Sequence, residues 1–154
     1  MLGLREGGWM RVVLDTSVLV AAVRSRKGAS FALIQSIPAR EFEICLSVSL
    51  YMEWQDVLTR QENLPPGRSR EDALDFLRYL ASRAHLQEIH FLWRPFLRDP
   101  NDDLLLELAF ASGCQFIVTH NVRDFHGSEL LGITAVKPGE FINLIRGHHE
   151  HTQH

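Results

Sequence analysis

The 154-residue sequence holds only two cysteines, no apolar run long enough to cross a bilayer, and no excess of basic residues. Each shortage excludes something. Cys45 and Cys114 sit inside apolar segments without metal-ligand spacing, so they read as buried thiols and not as a disulfide framework or a zinc pair. The longest apolar runs, such as VSLYM and LLLELAFA, fall far short of the roughly 20 residues a membrane helix needs, and no membrane span is expected. The opening MLGLREGGWMRVVLD lacks a basic leader, a long apolar stretch and a small-residue cleavage site, which points to a cytoplasmic protein. A formal net charge of −3 excludes indiscriminate coating of nucleic acid, which depends on counterion release at basic surfaces, but it allows a local basic groove. No GxSxG, Cys-His or GxxxxGK[ST] arrangement supports a nucleophilic hydrolase or a nucleotide-binding loop. No repeat or low-complexity stretch is present either.

What remains is a composition of 45% hydrophobic and 23% charged residues over a length that suits one domain. Arg11 to Leu14 is a short β-branched apolar run ending at Asp15, after which Thr16 and Ser17 start a helix through Ala22. Residues 30–37 read as a helix and residues 43–46 as a second strand. Ser47 then caps a helix to about Arg60. Residues 63–69, with Pro65, Pro66 and Gly67, form a connector. Ser69 and Asp72 open an amphipathic helix in which Ala73, Leu77, Leu80 and Ala84 share a face, and residues 88–91 are a third strand candidate. A buried helix is expected from about Asp102 to Ser112, ended by Gly113, with strands at 116–119 and 134–136 and a last short helix from Pro138 to Ile145. Strands alternating with helices predict an α/β fold with a mainly parallel sheet covered on both faces, whose sites form at the carboxyl ends of the strands.

Four carboxylates fall near those ends. Asp15 follows the first strand, where it is also an ordinary N-cap candidate. Glu53 stands one turn from Leu50 and one from Val57, on the inward side of its helix, where an isolated charge must neutralise, find a cation or bind a metal. Asp56 nearby reads as solvent-facing. Asp99, Asp102 and Asp103 crowd the start of the buried helix; the helix dipole explains one or two of them, and Asp103 is the reserve for Asp102. THNVRDF carries Thr119, Asn121 and Asp124 past the end of the fourth strand. Two carboxylates about 5 Å apart repel by roughly 3 kcal/mol at an effective dielectric of about 20, so the group needs protons or a cation. An all-oxygen set suits Mg2+ or Mn2+, and that pairing points to phosphodiester chemistry.

These segments resemble the PIN-domain family, small nucleases of toxin-antitoxin pairs and RNA processing. LDTSVLVAA is similar to its opening motif, SVSLYMEWQDVLTR to its second, and DPNDDLLLELAFASGCQFIVTHNVRDF to its third and fourth combined, over about residues 11 to 145. Ser17 stands where many relatives carry Asn, and Asn121 where many carry Asp. The resemblance implies a three-layer α/β/α sandwich occupying residues 10–146, with a leader at 1–9 and a His-rich tail at 147–154 outside it; Met10 is an alternative start. It implies metal-dependent endonuclease cleavage of RNA, with Asp15, Glu53, Asp102 and Asp124 holding Mg2+ or Mn2+. Thr16, Ser17, Thr119 and Asn121 would orient waters or phosphate, and Arg24, Arg26, Lys27 and Arg123 would meet phosphates. It further implies a toxin paired with an antitoxin, and a homodimer, whose interface the Ser69 to Ala84 segment can supply unless its apolar residues are core.

Two readings compete. A non-catalytic module of the same fold would bind RNA or a partner protein within an RNA-processing assembly. A zinc protein is suggested by His148, His149, His151 and His154, but a terminal tail lacks the second shell that fixes a metal site. His85, His90, His120 and His126 show no ligand spacing and read as surface or loop residues.

Overall fold

Val12, Val13 and Leu14 favour extended backbone and are fully buried, and they form the centre of the sheet in strand β1 (Met10–Leu14). The computed structural model describes residues 10–89 and 97–152, with side chains to residue 147. Helices and strands alternate along it: α1 (Thr16–Arg24), α2 (Ala29–Gln35), β2 (Phe42–Leu46), α3 (Val48–Leu58), α4 (Arg70–Ser82), β3 (His85–Leu86), α5 (Pro100–Ala111), β4 (Phe116–Val118), β5 (Thr134–Val136) and α6 (Pro138–Thr152). Three short 3-10 turns lie at Gln61–Asn63, Val122–Phe125 and Ser128–Leu131.

Every strand pairing is parallel, and the order across the sheet is β3-β2-β1-β4-β5. Parallel strands need helical crossovers, and these cover both faces. Helix α5 packs on β1, β2 and β4, while α1 joins α2 and α3, α3 joins α4, and α2 joins α6. The result is a three-layer α/β/α fold. Phe141 of α6 is fully buried between Phe42 and Phe116, with edge-on ring centroids 5.2 and 6.0 Å away. The chain leaves β1 toward β2 on one side, and β4 is added on the other. This strand-order reversal opens a crevice at the carboxyl ends of β1 and β4.

Local chemistry explains the element ends. Ser69 and Asp72 form a full capping box at the start of α4, as their spacing predicts. Gly113 adopts φ 71°, and the Gly113 and Cys114 N–H groups donate to Phe110 and Ala109 carbonyls, a Schellman ending for α5. That turn delivers Cys114 against Cys45, whose sulfurs are 3.5 Å apart in a buried pair of free thiols. Leu77 and Leu80 of α4 are wholly buried in the core.

Two expectations are corrected. The third strand is His85–Leu86 and not residues 88–91: Glu88 and Ile89 are irregular, and His90 and Phe91 lie outside the described residues. Pairing with β2 sets in three residues after α4 ends, matching Cys45 with His85 and Leu46 with Leu86, so helix length and not the β-propensity of Ile89 decides the register. Helix α6 passes Ile145 and continues to Thr152. The tail contains no proline, and Gly147 costs a helix only about 1 kcal/mol relative to alanine.

Candidate active site

Asp15 occupies the N-cap position of α1 without capping it. Its carboxylate makes no hydrogen bond to the helix N–H groups. Instead Oδ2 accepts from the Thr119 hydroxyl at 2.7 Å and from the Ser17 hydroxyl at 3.1 Å. The residue is 9% exposed and Thr119 is wholly buried. The cap reading of Asp15 therefore fails on the direction of its side chain. Both hydroxyls are held in turn: Thr119 Oγ1 accepts from the Asn121 N–H at 2.9 Å, and Ser17 Oγ accepts from the His120 N–H at 3.3 Å. The Asp15 N–H donates to Val118 O, locking the ends of β1 and β4 together at the crevice. Among the described residues Oδ1 of Asp15 has no hydrogen-bond donor.

Glu53 reaches the same place from α3, half-buried, with Oε2 accepting from the Thr16 hydroxyl. Ser47 caps α3 by accepting from the Leu50 N–H. This starts the helix immediately after β2 and sets Glu53 one and a half turns along it. A small cavity of about 70 Å³ lies between α3 and the start of α5, lined by Ser47, Glu53, Asn101 and Leu104 among others. The larger groove of about 950 Å³, over Leu46, Tyr51 and Leu86, holds none of the four acids.

The three acids at the start of α5 separate by geometry. Asp99 is the N-cap, accepting from the Asn101 N–H at 2.9 Å. Asp103 accepts from the Leu97 N–H at 2.8 Å, tying down the preceding backbone. Asp102 carries no such bond. Its carboxyl is pushed up from 3.8 to about 7 by burial first, then by the negative charges of Asp99, Asp124, Asp15 and Glu53. Those four names place Asp102 within electrostatic reach of every acid expected to share its site. Asp99 joins the field as a contributor that the sequence had shown only as one of three acids crowding the helix start. Asp124 is exposed on the 3-10 turn after β4, at the rim.

A family model described as PIN domain matches residues 11–123, well over half of the chain. The chain belongs to the PIN-domain family. The matched span includes Asp15, Glu53 and Asp102 and ends one residue before Asp124. A search of curated proteins found none that matches the chain. PIN domains are in general divalent-metal nucleases acting on RNA, and no described helix of this one is long and apolar enough to cross a membrane.

Among the described residues, no three His, Cys, Asp or Glu side chains converge tightly enough to hold an ion unaided. The donor chemistry nevertheless fits a hard divalent cation. The Asp102 carboxyl is raised by burial first and by neighbouring negative charge second, both of which a cation would offset, and Mg2+ retains waters and is held by one or two carboxylates plus substrate phosphate.

The basic candidates divide as well. Arg24 is bound to Asn63 at 2.7 Å, eight residues or roughly 12 Å along α1 from Thr16, which takes it away from the acids. Arg26 and Lys27 are exposed on the following connector, and Arg123 is exposed beside Asp124. Asp56, read as solvent-facing, is exposed and paired with Arg60 at 2.8 Å.

Proposed function

We propose that this PIN-domain protein is a Mg2+- or Mn2+-dependent endoribonuclease that hydrolyses RNA phosphodiester bonds, with Asp15, Glu53, Asp102 and Asp124 as its metal-holding acids. The observation that carries this is the Asp102 carboxyl raised to about 7, by burial first and then by the charges of Asp99, Asp124, Asp15 and Glu53. A bound ion supplies Lewis acidity at phosphorus and a water of lowered pKa. The residues themselves do the rest. Thr119 and Ser17 hold the Asp15 carboxylate in one orientation, Thr16 does the same for Glu53, and Asn121 and Asp103 brace the flanking backbone.

The resemblance supports a finer assignment as the toxin of a toxin-antitoxin pair, acting as a homodimer in the cytoplasm. Val48 and Met52 on α3 and Leu104 on α5 are exposed apolar side chains on the same two helices that carry Glu53 and Asp102. An antitoxin segment laid over the site would bury them.

The test is cleavage of a pool of labelled RNAs by purified protein with Mg2+ or Mn2+ present or chelated, beside Asp15→Asn. Metal-dependent cutting that falls by more than about a hundredfold in the variant is expected, since outer-shell partners of a metal alone are worth 10- to 100-fold. Folded protein that binds RNA and cuts none of it points to a binding module of the same fold.

A further inference from the structure

His120 lies outside the four acids, yet hydrogen bonds tie it to the Asp15 network. Its neighbours on both sides belong to the Asp15 network: Thr119 donates to Asp15, and the Asn121 N–H braces Thr119. Its own N–H donates to Ser17. The backbone at 119–121 is thereby fixed relative to Asp15. The far end of the ring is fixed too, because Nε2 lies 2.8 Å from the hydroxyl of Ser30, on α2 and 90 residues away in the chain. Ser30 is 3% exposed, whereas His120 is exposed to solvent.

Burial of Ser30 favours one tautomer. A buried hydroxyl must place its proton on an acceptor, and His120 Nε2 is the partner of Ser30 Oγ among the described residues. With Ser30 donating and Nε2 accepting, the neutral ring carries its proton on Nδ1. Nδ1–H makes no hydrogen bond among the described residues. An exposed donor, held at both ends beside a group of acids, has its ordering cost met during folding and is preorganised for a ligand that accepts.

We infer that His120 is a substrate-contact residue, whose Nδ1–H donates to a phosphate oxygen of the bound RNA while Ser30 sets the plane of the ring. This deepens the nuclease reading and rests on it. Phosphate contacts position a nucleic acid in register, and an imidazole N–H serves that purpose beside Asp15, whereas Arg24 sits at the far end of α1.

Two near-isosteric variants separate contact from clip. In His120→Asn the amide nitrogen takes the place of Nδ1, keeping the donor and losing Ser30; in His120→Gln the amide reaches the place of Nε2, keeping Ser30 and losing the donor. The measurements are KM and kcat for an RNA that the full-length protein cuts, its Kd by anisotropy on the same labelled RNA in Ca2+, and thermal unfolding. His120→Ala is expected to raise KM and Kd about tenfold, the value of one hydrogen bond, with kcat within about threefold. Asn should recover most of the loss, Gln little of it, and Ser30→Ala should fall between. Recovery by Gln and not by Asn, or a KM and Kd unchanged in His120→Ala, overturns the inference and leaves the nuclease reading intact. Wild-type protein that neither cuts nor binds RNA overturns both.

Discussion

Helices α4 and α5 open on acids at the same position, three residues past the cap, and their carboxyls move in opposite directions. Asp72 of α4 closes a box with Ser69, and that hydrogen bonding holds it below its ordinary value. Asp102 of α5 feels the same kind of helix dipole, which favours its charged form, yet it is pushed up to about 7. Burial and four neighbouring carboxylates outweigh the dipole. One helix start is built to be stable, and the other holds charge against its own stability, the pattern expected where function sets the residues.

The widest separation between the two should come from activity. Asp102→Asn is expected to lower RNA cleavage by more than about a hundredfold and Asp72→Asn to change it less than about twofold, measured as kcat/KM on one RNA. Equal losses would erase the distinction. Next in size, Thr119→Val removes the donor that orients Asp15 and should cost 10- to 100-fold in cleavage or metal affinity, read by titrating Mg2+ against rate.

The third contrast is in stability against pH, in chelator. Because the folded value of Asp102 lies above the unfolded 3.8, the folded state holds the extra proton between about 4 and about 7. The contribution of this group to stability therefore falls as pH rises through that window and stays low above it. Thermal unfolding at several pH values should show wild type losing ground to Asp102→Asn as pH increases, and Mg2+ should restore it at the alkaline end. A gap that does not change with pH would place the repulsion elsewhere. The smallest effect belongs to α4, where Ser69→Ala should cost about 1 kcal/mol, a drop of roughly 2–4 °C in Tm, without altering cleavage.

Much of this was legible in the sequence. The β-branched run before Asp15, the Ser69-Asp72 pair and Gly113 each act locally, and each local signal survives in the structure. What eluded the sequence was decided by distant partners. Residues 85–86 became β3 through pairing with β2, against the better propensity farther along. Asp99, Asp102 and Asp103 are near-equivalent in sequence; their hydrogen bonds to Asn101 and Leu97 separate them only in three dimensions. His120 read as a loop histidine because Ser30, which positions it, is 90 residues away. The available signal was its place between Thr119 and Asn121, directly after a strand end.

The outermost strands bear on how copies of this protein can meet. β3 has two residues and β5 three, against five in β1 and β2, so each border of the sheet offers a foreign strand little backbone to zip onto. Edge-to-edge growth along the described strands is thereby disfavoured, and any contact between copies is expected at helix faces, where side chains and not main-chain hydrogen bonds select the partner.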